Sequence, residues 1–358
     1  MENNTRVPRS RIDVGILGAT GTVGQQFIRV LTRHPWFRPA WLAASERSEG
    51  RRYREAAAWR LPDELPDQVA SLVVQPCVPG RGPRLVFSAL DAATAREVEP
   101  AFAQAGHIVV SNASSYRMAD DVPLLIPEVN PNHLSLIARQ RREREWRGAI
   151  VTNPNCSTVV LAMALAPLRQ FGLRSAVVTT LQAVSGAGYP GVPSLDILGN
   201  IIPNIEKEEA KIESETQKIL GDYDAGAVSP HPVVVTAQVT RVPVIDGHTI
   251  SVSMALDARP SVAAVREALA AFRGRPQTLR LPTAPEEPIL CVDAWDRPQP
   301  RLDAMRGDGM TVTVGRIREC PVLGTKLVAL GHNTIRGAAG AAVLNAELMF
   351  AEGCIEGD

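Results

Sequence analysis

The sequence predicts an α/β protein of two domains: a doubly wound parallel sheet, then an α+β unit whose sheet is mixed or antiparallel. Three observations predict it. Short apolar runs alternate with helical patterns from residue 12 to residue 110. A glycine-rich turn joins the first apolar run to the first helix. Beyond residue 156 the apolar runs lengthen and the regular alternation lapses. A chain of 358 residues has room for about two such domains.

Residues 12–17 (IDVGIL) read as the first strand, and residues 22–32 (TVGQQFIRVLT) as the first helix. Residues 40–44, 72–74, 85–88 and 108–110 read as further strands, with a helix at 92–105. Such a strand–helix–strand rhythm implies parallel strands with helices on both faces. In the second half, residues 174–183, 233–242, 249–255, 310–317 and 326–330 read as longer strands. Helices at 206–220 and 262–272 separate some of them, and a last helix, 335–351, is placed to return to the first domain. Residues 282–308, and less clearly 51–67, are rich in proline and charge and read as exposed excursions. Residues 1–10 are expected to be disordered. The expected division is 1–155 plus 332–358 for the first domain and 156–331 for the second.

The turn Gly18-Ala19-Thr20-Gly21-Thr22-Val23-Gly24 follows the first strand and opens the first helix. Glycines let backbone N–H groups approach a pyrophosphate, and a helix N-terminus favours its negative charge. The spacing is GxxGxxG. In this strand–turn–helix setting it predicts a Rossmann-type dinucleotide-binding domain. After the second strand come Ser45, Glu46, Arg47 and Ser48. Ser45, Arg47 and Ser48 suit a 2′-phosphate, for which a guanidinium fork is well shaped, whereas Glu46 alone would suit a ribose hydroxyl. NADP is the expected cofactor.

Cys156 stands between the turn Asn153-Pro154-Asn155 and a long apolar helical stretch. A thiol at the first turn of a helix meets free N–H groups and the positive end of the helix dipole. Both favour the thiolate, and the same N–H groups could hold an oxyanion. A partner acid or base is needed in space. Of six histidines, His34, His107 and His133 lie near helix ends or strand starts, where surface or packing roles are expected. His231 precedes a proline in a loop, and His248 lies at a turn between two strands. A dinucleotide, an activated cysteine and a loop histidine together fit oxidation or reduction at the aldehyde–acyl level, through a thioester or thiohemiacetal.

Basic and acidic residues number 38 each, so no concentrated basic face exists and nucleic acid is not an expected partner. The run RQRREREWR (139–147) is broken by glutamates and reads as a solvated helix end. The first residues lack an apolar core and no run of 18 apolar residues occurs, so neither a signal peptide nor a membrane helix is expected. The five cysteines are odd in number with no CxxC spacing. Neither a disulfide framework nor a metal site is expected, and a cytoplasmic, reducing location fits.

Several long motifs in order extend the reading. They are GATGTVG (18–24), SNASSYRM (111–118), VPLLIPEVNP (122–131), TNPNCST (152–158), TLQAVSGAGYPGVPS (180–194), RVPVIDGHT (241–249) and GHNTIRGAAG (331–340). Across nearly the whole chain these resemble aspartate-semialdehyde dehydrogenase, in its archaeal and fungal branch. The resemblance implies a Rossmann domain and a catalytic, dimerisation domain. It implies NADPH-dependent reductive dephosphorylation of L-aspartyl 4-phosphate to L-aspartate 4-semialdehyde, a step toward lysine, threonine and methionine. By the same likeness Cys156 is the nucleophile, His248 the general acid/base, and Gln182 the group that orients the intermediate.

The likeness also assigns the substrate's charges. Arg241, seven residues before His248, would grip the carboxylate with a bidentate fork. Glu208 would meet the ammonium, and Lys211, one turn further along, the phosphate; read without the likeness, the two make a surface ion pair. Arg117 would be the second phosphate ligand. Gly18, Thr20, Gly21, Thr22, Val23, Gly24, Ser45, Arg47 and Ser48 would contact NADP, and Ser185, Gly186 and Asn333 would lie near the nicotinamide. His332 departs from the family pattern, which leads one to expect an acidic residue there. Segments 51–67 and 282–308 also match poorly. The alternative is a malonyl-CoA reductase or related acyl reductase of the same fold, which Glu208 disfavours because malonyl-CoA has no ammonium. A non-catalytic NADP-binding protein is disfavoured by the intact Cys156, Gln182, Arg241 and His248. A homodimer or homotetramer is expected.

Overall fold

Six parallel strands form the first sheet of the computed structural model, which describes residues 5–355. They are β1 (Ile12–Leu17), β2 (Phe37–Ala44), β3 (Gln75–Pro76), β4 (Leu85–Ser88), β5 (Ile108–Ser111) and β6 (Ala149–Thr152), in the order β3-β2-β1-β4-β5-β6. The strand order reverses between β1 and β4, and the glycine turn leaves β1 at that point, where open α/β sheets bind ligands. Val14, Ile16 and Leu17 of β1 have no exposed surface, as expected for a strand covered on both faces. Phe27, Ile28 and Leu31 of the first helix, Thr22–Thr32, pack against one side. The final helix, Gly340–Ala351, returns to the same core with Val343, Leu344, Leu348 and Phe350.

The second sheet is mixed. Its strands are β7 (Leu173–Gln182), β10 (Val234–Arg241), β11 (His248–Leu256), β12 (Ile289–Cys291), β13 (Val312–Cys320) and β14 (Gly324–Gly331). A small hairpin, β8 (Asp222–Asp224) with β9 (Ala227–Ser229), stands apart. The order is β10-β7-β11-β14-β13-β12, with only β10–β7 and β12–β13 parallel. One face of β7 is buried and the other exposes Val177 and Leu181, beside Val234 of β10. The apolar helix Cys156–Leu165, buried from Ser157 to Leu165, fills the core behind this sheet.

Four expectations change. The excursion 282–308 is not wholly exposed: it contributes β12, Ile289 is buried, and Arg297 forks onto a buried Asp303. In 51–67, Tyr53 is buried and its hydroxyl donates to Ala19 O in the glycine turn at 2.8 Å. The third strand is β3 at Gln75–Pro76, and its proline suits an edge position. Within the stretch 1–10, Thr5 Oγ1 donates to Leu279 O and the Arg6 guanidinium lies over the Phe350 ring; residues 1–4 lie outside the described residues. Among the described residues no helix is long and apolar enough to cross a membrane.

Candidate active site

The turn Asn153-Pro154-Asn155 ends β6 and delivers Cys156 to the first position of its helix. Asn155 is the N-cap: its Oδ1 accepts from the N–H groups of Ser157 and Thr158 at 2.9 and 3.1 Å. Those two N–H groups are thus engaged by the cap, and the Ser157 N–H also acts on the sulfur. Behind the cysteine, residues 335–339 form a π-helical turn. A Cβ on Gly337 would come within 2.6 Å of the Cys156 Cβ, so only glycine lets this turn lie against the thiol.

His248 opens β11, opposite Gly331 of β14, and its ring is fully buried. Nε2 stands 3.2 Å from Cys156 Sγ. The Ala183 N–H donates to Nδ1 at 3.0 Å. Nδ1 is thus an acceptor, which leaves the proton of the neutral imidazole on Nε2, facing the sulfur. Burial, with the fields of Arg241 and His332, pushes the ring down to about 3, so it is neutral across the physiological range.

The thiol does not follow the expected direction. Burial, with the Glu208 carboxylate adding to it, pushes Cys156 up to about 12, against the opposing pull of Arg117, Arg241 and the Ser157 N–H. Desolvation outweighs the helix start here.

The charged residues expected around a substrate converge on this pair. Arg241, at the end of β10, is buried and donates from Nη1 to Ala183 O at 2.6 Å. Gly186 lies against that guanidinium and the His248 ring. Gln182, buried at the end of β7, donates to Thr180 Oγ1 at 3.2 Å. Glu208 is buried, while Lys211 is partly exposed. Glu208 Oε1 accepts from Asn155 Nδ2 at 2.6 Å and Oε2 from Lys211 Nζ at 3.2 Å. Arg117 is buried and pairs with Glu215 at 3.0 Å.

The residues expected to contact a dinucleotide fall in three places: the glycine turn, the turn after β2, and the stretches around Ser185 and Asn333. No side chain caps the helix that starts at Thr22, so its first N–H groups are left without a side-chain partner. Gly24 packs so tightly on the turn that a Cβ would lie 2.4 Å from Gly18 O. The nearest atom to a Cβ on Gly21 would be 3.5 Å away, which leaves room on that side of the turn. A cleft of about 1150 Å³ runs past Thr22, Gln26, Ser185, Val244, His332 and Thr334. Asn333 Nδ2 donates to Ser185 Oγ, and its Oδ1 accepts from the Gly247 N–H, both at 2.8 Å. Ser45, Arg47 and Ser48 follow β2 as a turn, in which the Ser48 N–H donates to Ser45 O. These three residues lie outside the cleft lining.

Residues 13–137 match the semialdehyde dehydrogenase NAD binding domain, and residues 165–336 match the semialdehyde dehydrogenase dimerisation domain. An Archaeoglobus fulgidus protein named aspartate-semialdehyde dehydrogenase is 53% identical over 343 residues, which are 96% of this chain and 99% of the relative. The chain belongs to the aspartate-semialdehyde dehydrogenase family. A Cryptococcus neoformans aspartate-semialdehyde dehydrogenase is 48% identical, covering 98% of this chain and all of its own length. The crystal structure of aspartate semialdehyde dehydrogenase with NADP from Candida albicans superposes with a TM-score of 0.89 at 44% identity, covering 97% of this chain and 100% of that one.

Against this family frame, two buried residues of the site were not read from the sequence. Glu215 and Lys218 lie on the same helix as Glu208 and Lys211, in EEAKIESETQKI. The spacing offered a signal, since 208, 211, 215 and 218 form one helical stripe. Their alternating charges suited a solvated face equally well.

Proposed function

We propose that the chain catalyses NADPH-dependent reductive dephosphorylation of L-aspartyl 4-phosphate to L-aspartate 4-semialdehyde and phosphate, and the reverse. The observation that carries this reading is the 3.2 Å approach of His248 Nε2 to Cys156 Sγ, ringed by Arg117, Glu208 and Arg241. The Cys156 sulfur attacks the acyl carbon, the C–O bond to phosphate breaks, the departing phosphate carries off the electron pair and takes up the thiol proton, and a thioester remains on the sulfur. His248, carrying its proton on Nε2, stabilises the thiolate by donating to it. After reduction it donates toward the substrate oxygen. Accepting a proton from the thiol would require the opposite tautomer, which the Ala183 N–H opposes. His248 is therefore better built as acid than as base for the first step.

The substrate's three charges match three sets of side chains: Arg241 for the carboxylate, Glu208 for the ammonium, and Arg117 with Lys211 for the phosphate. Gln182 orients the acyl group beside Cys156. NADPH, when bound, supplies the hydride. The residues that would hold it are the uncapped turn Gly18–Gly24, with Ser45, Arg47 and Ser48 on a 2′-phosphate and Ser185, Gly186 and Asn333 around the nicotinamide. The apolar outer face of β7 and β10, exposing Val177, Leu181 and Val234, supports a homodimer, or a tetramer built from it, and sedimentation would distinguish these. Five free thiols suit a reducing, cytoplasmic compartment.

The test is turnover of aspartate semialdehyde, phosphate and NADP by the purified protein, followed by absorbance of the reduced cofactor. Silence there, with NADPH oxidation by malonyl-CoA instead, overturns the reading in favour of an acyl-CoA reductase.

A further inference from the structure

Resting on that reading, we infer that Lys218 and Glu215 are positioning residues of the phosphate site, which hold Arg117 at its two ends. Glu208, Lys211, Glu215 and Lys218 share one face of the helix Glu208–Ile219, and the proposed chemistry uses only the first two. The other two are among the buried charges of the molecule, with Glu215 2% and Lys218 6% exposed.

Glu215 holds the guanidinium end. Its Oε1 accepts from Arg117 Nη1 at 3.0 Å, and its Oε2 accepts from the Asn155 backbone N–H at 2.6 Å. One carboxylate thus ties the arginine to the residue that caps the cysteine's helix. Lys218 holds the main-chain end. Its Nζ donates to the carbonyl oxygens of Arg117, Ala119 and Val122 at 2.7, 2.7 and 2.9 Å. All three ammonium hydrogens are spent on the loop that carries Arg117. A buried ammonium is costly unless its hydrogens are placed, and buried carbonyls are costly unless a donor reaches them. Lys218 answers both costs at once, which makes the loop's shape depend on it.

Arg117 Nη2 donates to Asn112 O at 2.7 Å, but Nε is buried with no partner. A guanidinium held at both ends of its side chain keeps a single orientation, which a directed contact to a phosphate requires. The same helix would present Glu208 and Lys211 to the substrate, so phosphate and ammonium sites share one rigid ruler.

The test is steady-state kinetics in the phosphorylating direction, with phosphate, aspartate semialdehyde and NADP varied in turn. Lys218→Met should raise KM for phosphate about tenfold or more, the scale of one lost charged hydrogen bond. KM for aspartate semialdehyde and for NADP should stay within about twofold. Glu215→Gln should move KM for phosphate the same way, and it decides the matter alone if Lys218→Met does not fold. Folded variants with unchanged KM for phosphate overturn the inference, as do variants in which all three KM values rise together or kcat alone falls. An inactive wild-type protein would instead refute the proposed reaction.

Discussion

Glu208 Oε1 lies 2.6 Å from Asn155 Nδ2, so the carboxylate proposed to meet the substrate's ammonium also grips the side chain that caps the cysteine's helix. Its charge raises the Cys156 thiol, second only to burial. Glu208→Gln should therefore shift the pH profile of Cys156 alkylation to lower pH while turnover falls by about tenfold or more, because the ammonium loses its partner. Iodoacetamide labelling across pH reads the first effect and steady-state rates the second. An unmoved alkylation profile would mean that Glu208 does not act on the sulfur.

The imidazole of His248 is held neutral, its ring pushed down to about 3 by burial and by Arg241 and His332. A base whose folded value lies that low carries no charge above about pH 4. The profile of kcat/KM should show no break near the ordinary histidine value of about 6.5. It should climb toward alkaline pH as Cys156 ionises. His248→Asn should keep a labelable thiol and lose on the order of 10²–10⁴-fold in kcat. A break near neutrality that disappears in this variant would contradict the neutral-donor assignment.

Gly337 leaves no room for a side chain beside Cys156. Gly337→Ala should cut kcat by about tenfold or more by displacing the sulfur, while NADP binding measured by fluorescence stays within about twofold. Full activity in this variant would show that the helical turn yields without moving the thiol.

Glu99 is fully buried and accepts from Ser111 Oγ at 2.6 Å, and burial pushes its carboxyl up to about 7. The folded value lies above the unfolded one, so its contribution to stability is present below about pH 4.3 and is lost as pH rises to about 7. Glu99→Gln should therefore be more stable than the wild type at pH 8 relative to pH 5, by on the order of 2–3 kcal/mol. Paired thermal melts at the two pH values check the sign; equal shifts at both would remove the buried charge from the account.

The parts of this molecule legible in the sequence are those whose signal is local. The first strand, the glycine turn and the first helix sit within residues 12–32, and the structure places their ends where the pattern does. The turn before Cys156 likewise announces a helix start. The parts that were not legible depend on partners far along the chain. Glu215 and Lys218 look solvated until their helix docks on the loop of Arg117, about a hundred residues earlier, where Lys218 and Arg117 are 101 positions apart. That Asn155 Oδ1 takes the Ser157 and Thr158 N–H groups could not be fixed by sequence, since an asparagine before a helix need not turn its side chain onto it. The strand β6 is four buried residues long, too short to show a period of two. The contact of Cys156 with Gly337 of the π-helical turn likewise joins residues far apart in the chain, and no local pattern announces it.

Cys156 carries the acyl group in the proposed reaction. Intact-protein mass spectrometry after mixing with aspartate semialdehyde and NADP, phosphate being withheld, tests it most directly. The wild type should gain the mass of one aspartyl group, mapped to Cys156, released by added phosphate and absent from Cys156→Ala. Turnover by Cys156→Ala, or the same adduct on both proteins, would contradict it.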